Sequence, residues 1–180
     1  MNKIGLTGNI ASGKSEVEKI LSDLGFCVID LDKVTHKLYQ NDTIKTKLEE
    51  VFKTSNRNSI AKIVFDDKTK LKNLEEIFHP ILKEYITNIK SNKITFVSGA
   101  LIYEAKFDSL FDKIVFVTAD FDIRLKRLMM RNNLSKEEAI KRISSQNSKY
   151  ISKADYIIEN NTTKEELKQK VTVLLSKILK

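Results

Sequence analysis

Apolar positions along the chain follow two rhythms. Lys3–Thr7 is a short apolar run closed by Gly8, which predicts a buried strand. Val17, Ile20, Leu21 and Leu24 follow at helical spacing from Lys14 to Leu24, and Gly25 supplies the stop. Phe26–Ile29 reads as a second buried strand. Ile94–Ser98, Ile114–Val117 and Tyr156–Ile158 predict three more. Residues 33–92 predict no strand. There Ile44, Leu48, Val51 and Phe52 share one helix face, and Leu71, Leu74, Ile77 and Phe78 share another. Pro80 is expected in the first turn of a new helix carrying Ile81, Leu82, Tyr85, Ile86 and Ile89. Residues 120–131 predict a helix. Ser135 with Glu138 makes a capping box for the next one, running to about Lys149. Thr163 and Glu166 cap the last helix, whose stripe Leu167, Val171, Leu174, Leu175 and Ile178 faces the core.

Strands alternating with helices imply an α/β fold: a five-stranded parallel sheet between helical layers, α/β/α. Its first turn carries chemistry. Gly8-Asn9-Ile10-Ala11-Ser12-Gly13-Lys14-Ser15 fits G-x-x-x-x-G-K-[ST], with a buried strand before it and an amphipathic helix after it. Gly8 and Gly13 allow backbone angles and close approaches that a Cβ blocks. The loop's N–H groups and the positive end of the following helix then converge on phosphate oxygens. Lys14 reaches the β- and γ-phosphates, and the Ser15 hydroxyl is the expected Mg²⁺ ligand. ATP and Mg²⁺ are therefore the expected co-substrate and cofactor.

Other phosphate-loop classes fit less well. A GTPase would carry Asn-Lys-x-Asp after a late strand, whereas Asn92-Lys93-Ile94-Thr95 precedes a strand and lacks the acid. A motor-type ATPase would end its third strand in Asp, whereas this one ends Phe96-Val97-Ser98-Gly99. The layout fits a small-molecule kinase: one domain over 1–180, a core at about 1–32, 93–119 and 150–180, an acceptor-binding helical insert at about 33–92, and a lid at about 120–149. Arg124, Arg127 and Arg131 fall on one face of the first lid helix, and Arg142 and Gln146 lie four apart on the second. Arginine suits charge spread over phosphoryl oxygens, and a closing lid delivers it while excluding water. The bland alternative is a solvated basic face.

Asp32, at the carboxyl end of strand two, is the candidate to orient or deprotonate the attacking hydroxyl. The bland alternative for Asp32 is the N-cap of a helix over Lys33–Gln40, and the two roles are compatible. Asp30 is the weaker choice, because it points the other way if the strand persists.

Charge changes the picture little. Thirty-two basic and twenty-four acidic residues leave +8, but Lys is scattered through every segment, with no clustered basic–aromatic surface for nucleic acid. The lone cysteine, Cys27, sits in an apolar run and reads as core filling. With His36 and His79 as the only histidines, no zinc-type cluster can be assembled. No apolar stretch approaches the roughly twenty residues that span a bilayer. A cytoplasmic monomer acting on small molecules is the expectation.

These motifs together resemble the dephospho-CoA kinase family over nearly the whole chain. Ile4-Gly5-Leu6-Thr7-Gly8 with Ser12-Gly13-Lys14-Ser15 is similar to the family's opening. Val28-Ile29-Asp30-Leu31-Asp32 resembles its V-I-D-A-D. Leu74-Glu75-Glu76-Ile77-Phe78-His79-Pro80 resembles its L-E-x-I-x-H-P, and Leu101-Ile102-Tyr103-Glu104 its L-L-x-E. Arg127, Arg131, Arg142, Gln146 and Ala154-Asp155-Tyr156-Ile157-Ile158-Glu159-Asn160 continue the match. The resemblance implies transfer of the γ-phosphoryl of ATP to the ribose 3′-hydroxyl of dephospho-CoA, giving CoA. It implies Asp32 as the catalytic carboxylate, together with Lys14 and Arg131. Nucleotide contacts fall to Gly8, Asn9, Ile10, Ala11, Ser12, Gly13, Lys14, Ser15, Glu16, Arg127 and Arg142, and acceptor contacts to Asp32, His79 and Glu104. His79 has a structural alternative as a helix cap or backbone partner. In this chain Asn9 and Ala11 replace glycines, Glu16 replaces Thr, His36 replaces Arg, and Ala100 replaces Pro. Ala11 is tolerable there if its φ is negative. The rival activities are a nucleoside or nucleotide kinase, and a non-catalytic nucleotide or nucleic-acid binding protein.

Overall fold

The computed structural model describes residues 3–65, 67–146 and 148–179. They divide into two compact units, Met1–Ile29 with Ser91–Lys180, and Asp30–Lys90.

The first unit is built on the sheet. Its strands are β1 (Lys3–Gly8), β2 (Cys27–Asp30), β3 (Thr95–Ser98), β4 (Lys113–Thr118) and β5 (Tyr156–Glu159), in the order β2-β3-β1-β4-β5. β1 pairs in parallel with β3 and β4, and β4 with β5. The central strand β1 is apolar without alternation because both faces are covered. On one face Ile4, Leu6, Phe96, Val115 and Val117 meet Val17, Ile20 and Leu21 of α1 (Lys14–Asp23), and Leu167, Val171, Leu174, Leu175 and Ile178 of α8 (Lys164–Ile178). The predicted stripe on the last helix is this core contact.

Two expectations on β2 need correction. It is an edge strand and only half buried, and Cys27 is exposed rather than core filling. A four-residue apolar run looks the same at the edge of a sheet as at its centre, and strand order is set by the rest of the chain.

Beyond β4 come α6 (Phe121–Asn132) and α7 (Lys136–Ser144), which bury Leu125, Leu128, Ala139 and Ile143 against each other. The Ser135–Glu138 capping box is present. However, α7 stops at Ser144 rather than near Lys149, and a 3-10 turn over Ser148–Lys153 leads into β5. At that entry Asp155 pairs with Lys113 at 2.8 Å and accepts from the Ile114 amide at 2.9 Å. Burial pushes the Asp155 carboxyl up, but these contacts outweigh it and hold it below its ordinary value.

The second unit is all helical: α2 (Leu31–Leu38), α3 (Asp42–Phe52), α4 (Arg57–Phe65) and α5 (Lys68–Thr87). The first three pack on α5. Ile44, Leu48, Phe52, Ile60, Phe78, Leu82 and Ile86 are buried, and Tyr39 lies against Phe78 with ring centroids 4.9 Å apart. Pro80 does not start a helix. It lies inside α5, where it removes one intrahelical hydrogen bond. Phe78, Leu82 and Ile86 keep one apolar face through it, so packing outweighs the local cost. Asp30, not Asp32, caps α2: its carboxylate accepts from the amides of Asp32 and Lys33 at 2.9 and 3.3 Å. β2 runs directly into α2 without the intervening turn that would have made Asp32 the cap.

Candidate active site

β1 ends at Gly8, and the chain turns over residues 9–13 before α1 begins. The Asn9 amide donates to the Val117 carbonyl, and the Ser12 amide to the Asn9 carbonyl, both at 3.1 Å. Gly13 is the N-cap at φ +94°, and its carbonyl accepts from Glu16 at 3.0 Å and Val17 at 3.3 Å. A Cβ on Gly8 would overlap the Val117 carbonyl oxygen, and one on Gly13 would overlap the Asn160 amide nitrogen. Both glycines are thus required by close approach, and Gly13 also by its backbone angle.

Four distant side chains fix the loop. Asn160 Nδ2 donates to the Ser12 carbonyl at 2.8 Å, and Arg127 Nη1 donates to the same oxygen at 3.3 Å. Gln146 Oε1 accepts from the Ile10 amide at 2.6 Å, while its Nε2 donates to the Gly8 carbonyl at 3.4 Å. Thr118 Oγ1 donates to Asn9 Oδ1 at 2.9 Å. Ile10 and Ala11 pack against the small core of α6 and α7. Ala11 departs from expectation, since its φ is +59° rather than negative. An L residue there carries a strain of roughly 1–2 kcal/mol, and a glycine carries none.

The amides of Ala11, Gly13, Lys14 and Ser15 have no hydrogen-bond acceptor among the described residues. They cluster at the N-terminus of α1, where the helix dipole adds positive potential. The Ser12 hydroxyl, fully buried beside them, likewise finds no partner among the described residues. This arrangement accepts an anion with several oxygens. The Lys14 Nζ lies 2.7 Å from Glu18 Oε1 and 2.6 Å from Ser98 Oγ, and Ser98 Oγ also donates to Glu18. Ser15 is exposed in the first turn, and Glu16 pairs with Lys164 at 3.3 Å.

The arginines of α6 and α7 differ from one another. Arg124 Nε donates to the Ala119 carbonyl at 2.9 Å, tying it to the start of its own helix, and burial lowers its pKa. Arg127 reaches the loop. Arg131 is exposed and bonds Asn132 Oδ1 at 2.9 Å, and Arg142 is exposed on α7. Leu101–Glu104 forms a turn in which Ile102 and Tyr103 are buried and Tyr103 stacks on Tyr150 at 5.0 Å. Glu104 is exposed at this turn, yet partial desolvation holds its carboxyl above the ordinary value.

Within the helical unit, Asp32 is exposed in the first turn of α2 and His79 is half-buried in α5. His36 Nδ1 lies 3.2 Å from Arg57 Nη1, so the imidazole accepts at that nitrogen. Sequence reasoning did not single out Glu18 or Ser98, and it gave Gln146 and Asn160 no structural role. The strand-end position of Ser98 and the i, i+4 spacing of Lys14 and Glu18 were the available signals. Among the described residues no group of three or more His, Cys, Asp or Glu side chains is placed to hold a metal ion, and no helix is long and apolar enough to cross a membrane.

The family model described as CoaE, dephospho-CoA kinase, matches residues 2–166. A dephospho-CoA kinase of Listeria monocytogenes serotype 4b is 35% identical over 194 residues, covering 98% of this chain and 97% of that protein. The solved structure of a dephospho-CoA kinase from Campylobacter jejuni superposes with a TM-score of 0.73 at 31% identity, covering 98% of this chain and 96% of that one. That of TT1252 from Thermus thermophilus gives 0.81 at 30% identity, with 98% and 97% covered.

Proposed function

The chain belongs to the dephospho-CoA kinase family, and on that premise we propose how its residues divide the work of moving the γ-phosphoryl group of ATP to the ribose 3′-hydroxyl of dephospho-CoA. The observation that carries this reading is that the amides of Ala11, Gly13, Lys14 and Ser15, at the start of α1, have no acceptor among the described residues. Such donors are costly to leave unmade, and a triphosphate tail satisfies several at once.

In this reading residues 8–16 hold the nucleotide phosphates, and Lys14 neutralises charge developing on the β- and γ-phosphoryl oxygens. The transition state is largely dissociative, so positioning and charge compensation contribute most of the acceleration. Arg131, with Arg127 and Arg142, supplies guanidinium donors to the transferring group from α6 and α7. The exposure of Arg131 and Arg142 supports this role, because they are available to a ligand. Asp32 orients the acceptor hydroxyl or accepts its proton, while His79 and Glu104 contact the acceptor. The oxygen donors at the loop fit Mg²⁺: Ser15 would hold it through the hydroxyl at the head of α1, and among the described residues no group of three or more carboxylate, His or Cys side chains is placed to compete for it. When bound, Mg²⁺ draws negative charge from the phosphates.

The test is ADP release coupled to a panel of acceptors, with Lys14→Ala and Asp32→Asn as controls. Dephospho-CoA is the expected acceptor, and each variant lowers turnover by at least ~10²-fold with the fold retained; Lys14→Ala also lowers the melting temperature, because Glu18 loses its partner. Phosphorylation of a nucleoside monophosphate but not of dephospho-CoA would overturn the substrate assignment. Unchanged turnover in either variant would remove that residue from the mechanism.

A further inference from the structure

Lys14 and Glu18 form a nearly closed charge pair, their side chains only 16% and 14% exposed. Both reach Ser98, which is fully buried at the carboxyl end of β3. The pair does not serve the helix. A lysine in the first turn opposes the helix dipole, and Lys preceding Glu by four is the poorer order for such a pair. Its place in the fold is more telling. β3 neighbours β1, and the end of that strand is where many phosphate-loop enzymes carry the aspartate that steadies Mg²⁺. Here the strand ends in Ser98-Gly99, and among the described residues the carboxylate bonded to Ser98 comes from helix α1.

We propose that Glu18, held by Ser98, is the positioning carboxylate that stands in for the missing strand-end acid and receives the water shell of a nucleotide-bound divalent cation. The proposal rests on the nucleotide reading above. The charge balance explains why the pair exists. Without nucleotide, Lys14 neutralises Glu18. When Lys14 turns to the phosphates, a mostly buried carboxylate loses its cation, which is costly unless another takes its place. The cation that accompanies the nucleotide does so through its bound water, which donates to Glu18. One carboxylate thus exchanges an ammonium for a hydrated metal and is never left uncompensated. Ser98 bonds the carboxylate and fixes its orientation through the exchange.

The test is calorimetric titration of ADP into the full chain, once in a metal chelator and once in Mg²⁺. The ratio of the two affinities is compared among wild type, Glu18→Gln and Ser98→Ala. In Glu18→Gln, metal-free ADP binds at least as tightly as in wild type, because Lys14 has lost its competitor. The Mg²⁺ enhancement falls about tenfold or more, the size expected for an outer-sphere ligand. Ser98→Ala leaves the carboxylate in place and loses only a few-fold of the enhancement, so it reports even where Glu18→Gln folds poorly. An unchanged enhancement in Glu18→Gln would overturn the proposal. So would an equal loss of affinity with and without metal, which would mean that Glu18 merely supports the loop. The underlying reading is tested separately with Lys14→Ala: if that variant binds ADP like wild type under both conditions, the nucleotide site itself is misassigned.

Discussion

The phosphate loop and the two helices that carry the arginines are neighbours in one unit, yet they are built in opposite ways. The loop is fastened by bonds from sequence-distant residues, Asn160, Gln146, Arg127 and Thr118, and several of its remaining donors have no acceptor among the described residues. The helices α6 and α7 are held to each other by a small apolar core of Leu125, Leu128, Ala139 and Ile143, while Arg131 and Arg142 stay exposed. One part is fixed by bonds from distant residues, and the other leaves Arg131 and Arg142 exposed at its surface. A rigid cradle lowers the entropic cost of orienting phosphates. Long guanidinium side chains can adapt to charge that appears only as the reaction proceeds.

This contrast predicts how each part fails. Arg131→Ala should lower kcat by about tenfold or more, as loss of a charge-stabilising donor does, while the melting temperature stays put because the side chain is exposed. Steady-state kinetics alongside a thermal melt checks both halves, and a melting-temperature loss with unchanged kcat would reverse the contrast. Asn160→Ala should behave the other way. It removes the shorter of two bonds to the Ser12 carbonyl, at a residue only 6% exposed. A loss of about 1–3 kcal/mol is expected by chemical denaturation, with the KM for ATP raised more than kcat is lowered. The smallest effect belongs to Ala11→Gly. At an ordinary helical site that change costs about 1 kcal/mol. At φ +59° relief of strain offsets the added chain entropy, and stability should change by less than about 1 kcal/mol, in either direction. A loss well above that would mean that the methyl group's packing against the α6–α7 core outweighs the strain.

The loop was legible in the sequence because each fixed position answers a local demand. Gly8 and Gly13 stand where a Cβ collides, and Lys14 and Ser15 open the helix that follows the turn. The apolar stripe of α8 was legible for a similar reason, since helical spacing fixes a face. What was not legible depends on long-range arrangement. Cys27 looked buried because an apolar tetrapeptide carries no mark of an edge strand. Pro80 looked like a helix start because its local cost is visible, whereas the continuous face of Phe78, Leu82 and Ile86 that overrides it appears only on packing. Ala11 looked acceptable at negative φ because alanine gives no sign of the left-handed turn the loop imposes. Glu18 and Ser98 are far apart in sequence, and only the pairing of β3 with β1 brings them together beside α1.

The central claim is that the amides at the head of α1 close around nucleotide phosphates. The most direct measurement is an amide-resolved NMR titration of the full chain with ADP and Mg²⁺. The account predicts the largest downfield shifts at the amides of Ala11, Gly13, Lys14 and Ser15, with smaller changes in the helices of residues 31–87. Shifts concentrated elsewhere, with those four resonances unmoved at saturating nucleotide, would contradict it.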